Sequence, residues 1–100
     1  MATSFIEKIT DVAEYFMSGA ITSGNTLTKS IATSGIYLVV TFHPSTVNTI
    51  GLYICGSSAS EAKVEAILSA SSVSVTCTVG QLKIKNNSAT GLRYGIFHFV

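Results

Sequence analysis

At 100 residues the chain is one domain's worth, and a formal net charge of +1 gives no electrostatic reason to expect nucleic acid, an anionic membrane or an acidic substrate. Only 11% of its residues are charged, against roughly 25% in an ordinary soluble domain, while 47% are apolar and the mean hydropathy is +0.50. The longest unbroken apolar run, Ile36-Tyr37-Leu38-Val39-Val40, falls far short of the about 20 residues that a membrane-crossing helix needs, so membrane insertion is not expected. A small domain normally covers its large surface with Lys, Glu, Asp and Arg. The deficit here points to a surface covered by protein, either copies of this chain or a partner.

The first residues differ from the rest. Phe5, Ile9, Val12 and Phe16 recur at helical spacing and match a/d positions of two heptads. Ser4 and Glu7 have the spacing of a capping box, and Gly19 is a stop signal. The spacing predicts a helix over 4–17, with a strand around Tyr15-Phe16-Met17 as the alternative. Residues 1–19 are therefore read as an N-terminal appendage, helical or extended, for attachment or trimerisation, and 20–100 as a β-domain. Residues 1–8 lack the basic start and apolar core of a signal peptide, so synthesis and maturation are expected in a cytoplasm.

From Ala20 onward the pattern has period two. Ser23-Gly24-Asn25 is a turn between Ala20-Ile21-Thr22 and the alternating run 26–31. Ile36 to His43 is apolar almost throughout and reads as a central strand buried on both sides, ended by Pro44. Further strands are expected at about 49–55, 62–69, 72–79, 81–86 and 92–100. In the second of these, Ala62, Val64, Ala66 and Leu68 alternate against Lys63 and Glu65, which outweighs a helix reading of 60–68. Short strands joined by tight turns predict a mainly β fold: a compact antiparallel sandwich or barrel of about seven or eight strands.

No constellation carries chemistry. His43 and His98 each sit beside aromatics and have no third ligand in view, so they read as ordinary strand histidines and no metal is expected. Serines are plentiful without a nucleophile elbow. Glu61 and Glu65 read as a solvated edge, and Lys83 and Lys85 as the wet face of a strand. Gly-rich phosphate loops are absent, and neither an enzyme nor a cofactor is expected. Cys55 and Cys77 lie isolated in apolar runs and read as buried thiols acting as small hydrophobes, with one disulfide as the alternative.

The last strand, Arg93-Tyr94-Gly95-Ile96-Phe97-His98-Phe99-Val100, is apolar to its end, which implies that it is paired or covered. This aromatic–Gly–apolar ending resembles the final strand of trimeric jelly rolls of the tumour-necrosis-factor and complement-globular-head type. The run Ser34 to Phe42 is similar to their central strand, and Leu82 to Ser88 to their penultimate strand and turn. Small domains of this pattern occur in bacteriophage head fibres, capsid decorations and tail-fibre tips. The resemblance spans about residues 20–100. It implies a homotrimer with Tyr94, Gly95, Ile96, Phe97 and Phe99 near the threefold axis, and the stripe Phe5, Ile9, Val12, Phe16 as attachment device or coiled coil. It further implies a non-enzymatic virion structural protein at the virion surface, made in the host cytoplasm, with other virion proteins such as the major capsid or tail proteins as partners. The alternative is a receptor- or carbohydrate-binding tip, for which Tyr15, Tyr53 and Tyr94 are the candidate platforms for host-surface glycans.

Overall fold

Alternating side chains and turn-forming separators translate directly into strands. The computed structural model describes the backbone of residues 13–99 and the side chains of residues 17–99. Its strands are β1 (Ala13–Ile21), β2 (Thr26–Ser30), β3 (Gly35–Phe42), β4 (Gly51–Ser57), β5 (Ala62–Leu68), β6 (Val73–Thr78), β7 (Gln81–Asn86) and β8 (Leu92–Phe99), with one 3-10 turn at Val47–Thr49. They form a five-stranded sheet in the order β1-β8-β3-β4-β5 and a three-stranded sheet in the order β2-β7-β6, antiparallel at every pairing. The protein is a mainly β, two-sheet antiparallel fold. Among the described strands β1 pairs with β8 and β2 with β7, while β3-β4-β5 runs as a meander.

The helix read over 4–17 does not extend to its end, because residues 13–17 are strand. Register explains the misreading. Tyr15 faces Phe97 and Met17 faces Ile96, so Phe16 is an extra residue in a bulge and strict alternation fails there. The sheet begins by Ala13, inside the segment read as an appendage. Phe5, Ile9 and Val12 lie outside the described residues, and of Phe16 only its backbone, in β1, is described.

The core lies between the sheets. Tyr37, Val39, Tyr53, Cys55, Leu92, Tyr94 and Ile96 of the larger sheet meet Val73, Val75, Leu82 and Ile84 of the smaller. The tyrosines bury their rings and use their hydroxyls to accept loop amides, Ala32 N–H on Tyr37 Oη at 2.9 Å and Ala70 N–H on Tyr53 Oη at 2.8 Å. Gly51 is required by this packing, since a Cβ there would stand 2.6 Å from the Tyr53 ring. Gly80 serves the tight β6–β7 hairpin, where its φ of 76° is left-handed.

Asn86, fully buried at the end of β7, ties three parts of the chain together. Its Nδ2 donates to the carbonyls of Ile21 at 2.9 Å and Thr90 at 2.8 Å, and its Oδ1 accepts the Ser88 amide at 2.9 Å and the Ser88 hydroxyl at 2.6 Å. Removing that amide strands several buried polar groups, each at a cost of about 1–3 kcal/mol. Asn86→Ala should lower stability by about 3 kcal/mol, read as a lower urea midpoint at unchanged slope. Asn87→Ala, at an exposed neighbour, should stay within about 0.5 kcal/mol of wild type; equal effects would show that the Asn86 network is not what holds this corner.

Candidate functional site

The two sheets have opposite outer surfaces. Outward positions of the three-stranded sheet are Thr26, Thr28 and Ser30 on β2, Lys83 and Lys85 on β7, and Ser74, Thr76 and Thr78 on β6. All are polar, as on an ordinary sandwich with one wet face. Outward positions on the middle strands of the five-stranded sheet are Ile36, Leu38, Val40 and Phe42 on β3, Leu52 and Ile54 on β4, and Phe97 and Phe99 on β8. Ile36 is 50% exposed and Phe42 43%. β3 is therefore central in its sheet but buried on one side only, which corrects the expectation of burial on both. Its apolar outer side has no cover among the described residues.

Register assembles these side chains into one patch. Leu38 lies between Ile54 and Phe97, Val40 between Leu52 and Gly95, and Ile36 between Gly56 and Phe99. Polar groups fall at the margins: Lys63 and Glu65 on β5, Ser18 on β1, and Arg93 beside Phe42. Three strands at about 4.8 Å and eight residues at about 3.3 Å give an apolar centre of roughly 400 Å², within the range where the largest patch on a monomer is often functional. An apolar centre inside a polar rim is the anatomy of a protein–protein interface.

Two glycines flatten the patch. Among the described residues a Cβ at Gly56 would meet nothing within 4 Å, and one at Gly95 would meet only Phe97 Cζ at 4.0 Å. Neither has positive φ. Among the described residues, packing leaves both positions room for a side chain, in contrast to Gly51.

The residues expected at a threefold axis divide by parity. Gly95, Phe97 and Phe99 face outward in the patch, whereas Tyr94 and Ile96 point into the core at 8% and 0% exposure. Tyr94 and Ile96 are therefore not available to a partner, because successive side chains of a strand alternate faces. Leu38, Leu52 and Ile54, which sequence reasoning did not single out, complete the patch; their signal was alternation with the inward Tyr37, Tyr53 and Cys55. Tyr53 and Tyr94 are buried and so offer no platform for sugars, and the Tyr15 side chain lies outside the described residues.

Among the described residues the histidines lie apart from one another. His98 stacks on Tyr37 with ring centroids 4.5 Å apart, while His43, just beyond the far end of β3, accepts the Ser45 amide on Nδ1 at 3.1 Å. Among the described residues no group of three or more His, Cys, Asp or Glu could hold a metal ion. An open depression of about 740 Å³, with Gly35, Ile36, Gly56, Glu61 and Lys63 in its wall, adjoins one corner of the patch. Comparison with known protein families, with curated proteins and with solved structures found no match.

Both cysteines are free thiols, Cys55 buried and Cys77 half-buried with Sγ 4.0 Å from the Gly56 carbonyl. Burial, with a smaller contribution from nearby Cys77, pushes the Cys55 thiol from 9.0 up to about 12. Above its ordinary pKa the unfolded chain loses this proton while the folded chain keeps it, so stability is full below about pH 9 and falls toward pH 12. The slope from this group reaches roughly 1.4 kcal/mol per pH unit. Urea midpoints of wild type should drop more steeply than those of Cys55→Ala through this range; parallel curves would exclude Cys55 as the source.

Proposed function

We propose that the chain is a non-enzymatic structural protein that works as a homotrimer, burying the outer face of its five-stranded sheet against copies of itself. The observation that carries this reading is the flat apolar patch around Gly95, because the described residues of the single chain give no reason for its glycines. A side chain is omitted where a neighbouring backbone comes close, and a symmetric oligomer supplies such neighbours from identical copies. The deficit of charged residues in the sequence supports the same reading. The number three, the place on a virion surface, and the capsid or tail proteins as further partners come from the resemblance of Tyr94 to Phe99 to the closing strand of trimeric jelly rolls. A glycan-binding tip has less support, since Tyr53 and Tyr94 face the core.

Light scattering of the full chain in dilute solution should give three times the chain mass of 10.5 kDa; a stable monomer overturns the proposal. Gly95→Val is the sharper probe. Among the described residues of one chain the added side chain meets little, so the circular dichroism spectrum of the fold should persist. At an axial contact it forces backbones apart, and overpacking of about 1–3 kcal/mol at each of three copies should dissociate the trimer. Wild-type assembly in Gly95→Val would remove this face as the contact.

A further inference from the structure

β5 is the terminal strand of its sheet, pairing with β4 on one edge and, among the described residues, with no strand on the other. It is also the least covered strand. Ala62 is half-buried and Lys63 through Leu68 are all exposed, with Val64 at 37% and Ile67 at 59%. An open edge of this kind recruits another strand unless a bulge or unmatched charges block it. A bulge at Ile67 disrupts the far end, because Ala66 pairs with Tyr53 and Leu68 with Leu52. Residues 62–66 remain regular.

The charges on that regular stretch select an occupant. Lys63 and Glu65 both face outward, opposite Gly56 and Ile54, and the residue between them, Val64, faces the other side. In an antiparallel self-pairing with Val64 opposite Val64, Lys63 of each copy stands opposite Glu65 of the other, and Ala62 stands opposite Ala66. Opposite charges in directly facing cross-strand positions attract, and like charges there repel. Shifting this register by two residues one way puts Lys63 against Lys63 and Glu61 against Glu65. The other way puts Glu65 against Glu65. A shift by one residue would turn one copy's sheet over, placing its core face beside the other's outer face. One register satisfies both charge and side.

The geometry points to β5 as a second self-association surface: an isologous edge-to-edge contact with another copy of this chain, on a twofold axis through Val64, closed by reciprocal Lys63–Glu65 pairs. The two five-stranded sheets then run on as one sheet of ten strands, with both apolar outer faces on the same side. Lys63 and Glu65 thereby act as partner selectors, because an unrelated strand would have to match both charges while the chain matches them by symmetry. The contact is separate from the face around Gly95 and does not rest on it; together a threefold face and a twofold edge link trimers to one another.

The edge contact is read on the full chain by sedimentation velocity and by cross-linking. Lys63→Glu and Glu65→Lys should each weaken edge association on the order of tenfold at low salt, and the double swap Lys63→Glu/Glu65→Lys should restore it. Both positions are exposed, so circular dichroism should report an unchanged fold. Val64→Cys, in a Cys77→Ser background, should cross-link copies under mild oxidation with the disulfide oxidised glutathione, whereas Lys63→Cys in the same background should not, because only residue 64 faces itself. A Val64→Cys chain that forms no cross-link overturns the proposal, as does a double swap that fails to restore association, the outcome expected if a different protein's strand is the natural occupant. Repeating the Val64→Cys test with Gly95→Val separates the two surfaces. A cross-link retained while threefold assembly is lost establishes the edge contact alone, and a cross-link absent while trimers persist removes the edge contact alone.

Discussion

The constraint on which the rest of the molecule depends is a mismatch of width, since a three-stranded sheet packs against a five-stranded one. With strands about 4.8 Å apart, five span roughly 19 Å between outer axes and three roughly 10 Å. The smaller sheet covers one face of the middle strands, and its hydroxyl-rich back needs no further cover. It shelters β5 only in part, and the inward-directed Val64 and Ala66 stay exposed even though their neighbours Cys55 and Tyr53 are buried. The opposite face of the larger sheet has no second layer at all among the described residues. Both surfaces assigned to self-association follow from this arithmetic: a face that nothing in the described chain covers and an edge that the second sheet is too narrow to shelter in full.

The inner side is specified more tightly than the outer. Inside, Tyr37 and Tyr53 each close a loop through their hydroxyls, Asn86 has all its side-chain polar atoms matched, and Thr41 donates to the Thr49 carbonyl at 2.9 Å. Among the described residues no buried side-chain nitrogen or oxygen is left without a hydrogen-bond partner. Such a core selects one arrangement, because each polar group is costly in any other. Outside, the middle strands present side chains with no polar demands and two glycines that the described residues do not crowd. The face is undemanding of its own chain, and shape is what it has to offer a neighbour.

How legible this was in the sequence depended on which physical signal each residue carried. Strands from β2 to β8 could be read because turns leave chemical marks, such as Gly24, Pro44 and Gly80, and because half-buried strands alternate. The bulge at Phe16 breaks alternation in β1, so the strand from Ala13 to Met17 carries no clean period of two. In β3 the continuous apolar run implies cover on both sides, whereas the described chain supplies it on one; hydrophobicity does not record whether a cover is intramolecular. In β8 the pattern singled out the strand while parity was invisible, so Tyr94 and Ile96 were grouped with Gly95 and Phe97. In β5 alternation suggested that Leu68 shares a face with Val64, and the bulge at Ile67 turns it to the other side beside Leu52. Each of these misreadings arises where one extra residue or one absent layer changes which way a side chain points or what covers it, and neither leaves a mark on composition.

The pairing of β1 with β8 has a consequence of a different kind. Ala13 lies directly across from Phe99, so the path of the described chain nearly closes on itself. Where two strands far apart in sequence pair in this way, chain order is a matter of synthesis more than of architecture. A circular permutant that bridges these two strands and opens at the exposed Val79 of the β6–β7 hairpin would contain every strand pair of the original. In such a permutant the first strand made would be β7. The pair β1–β8, which in the natural order waits for the last strand to emerge, would then form between neighbours in synthesis, and β6–β7 would become the pair that waits.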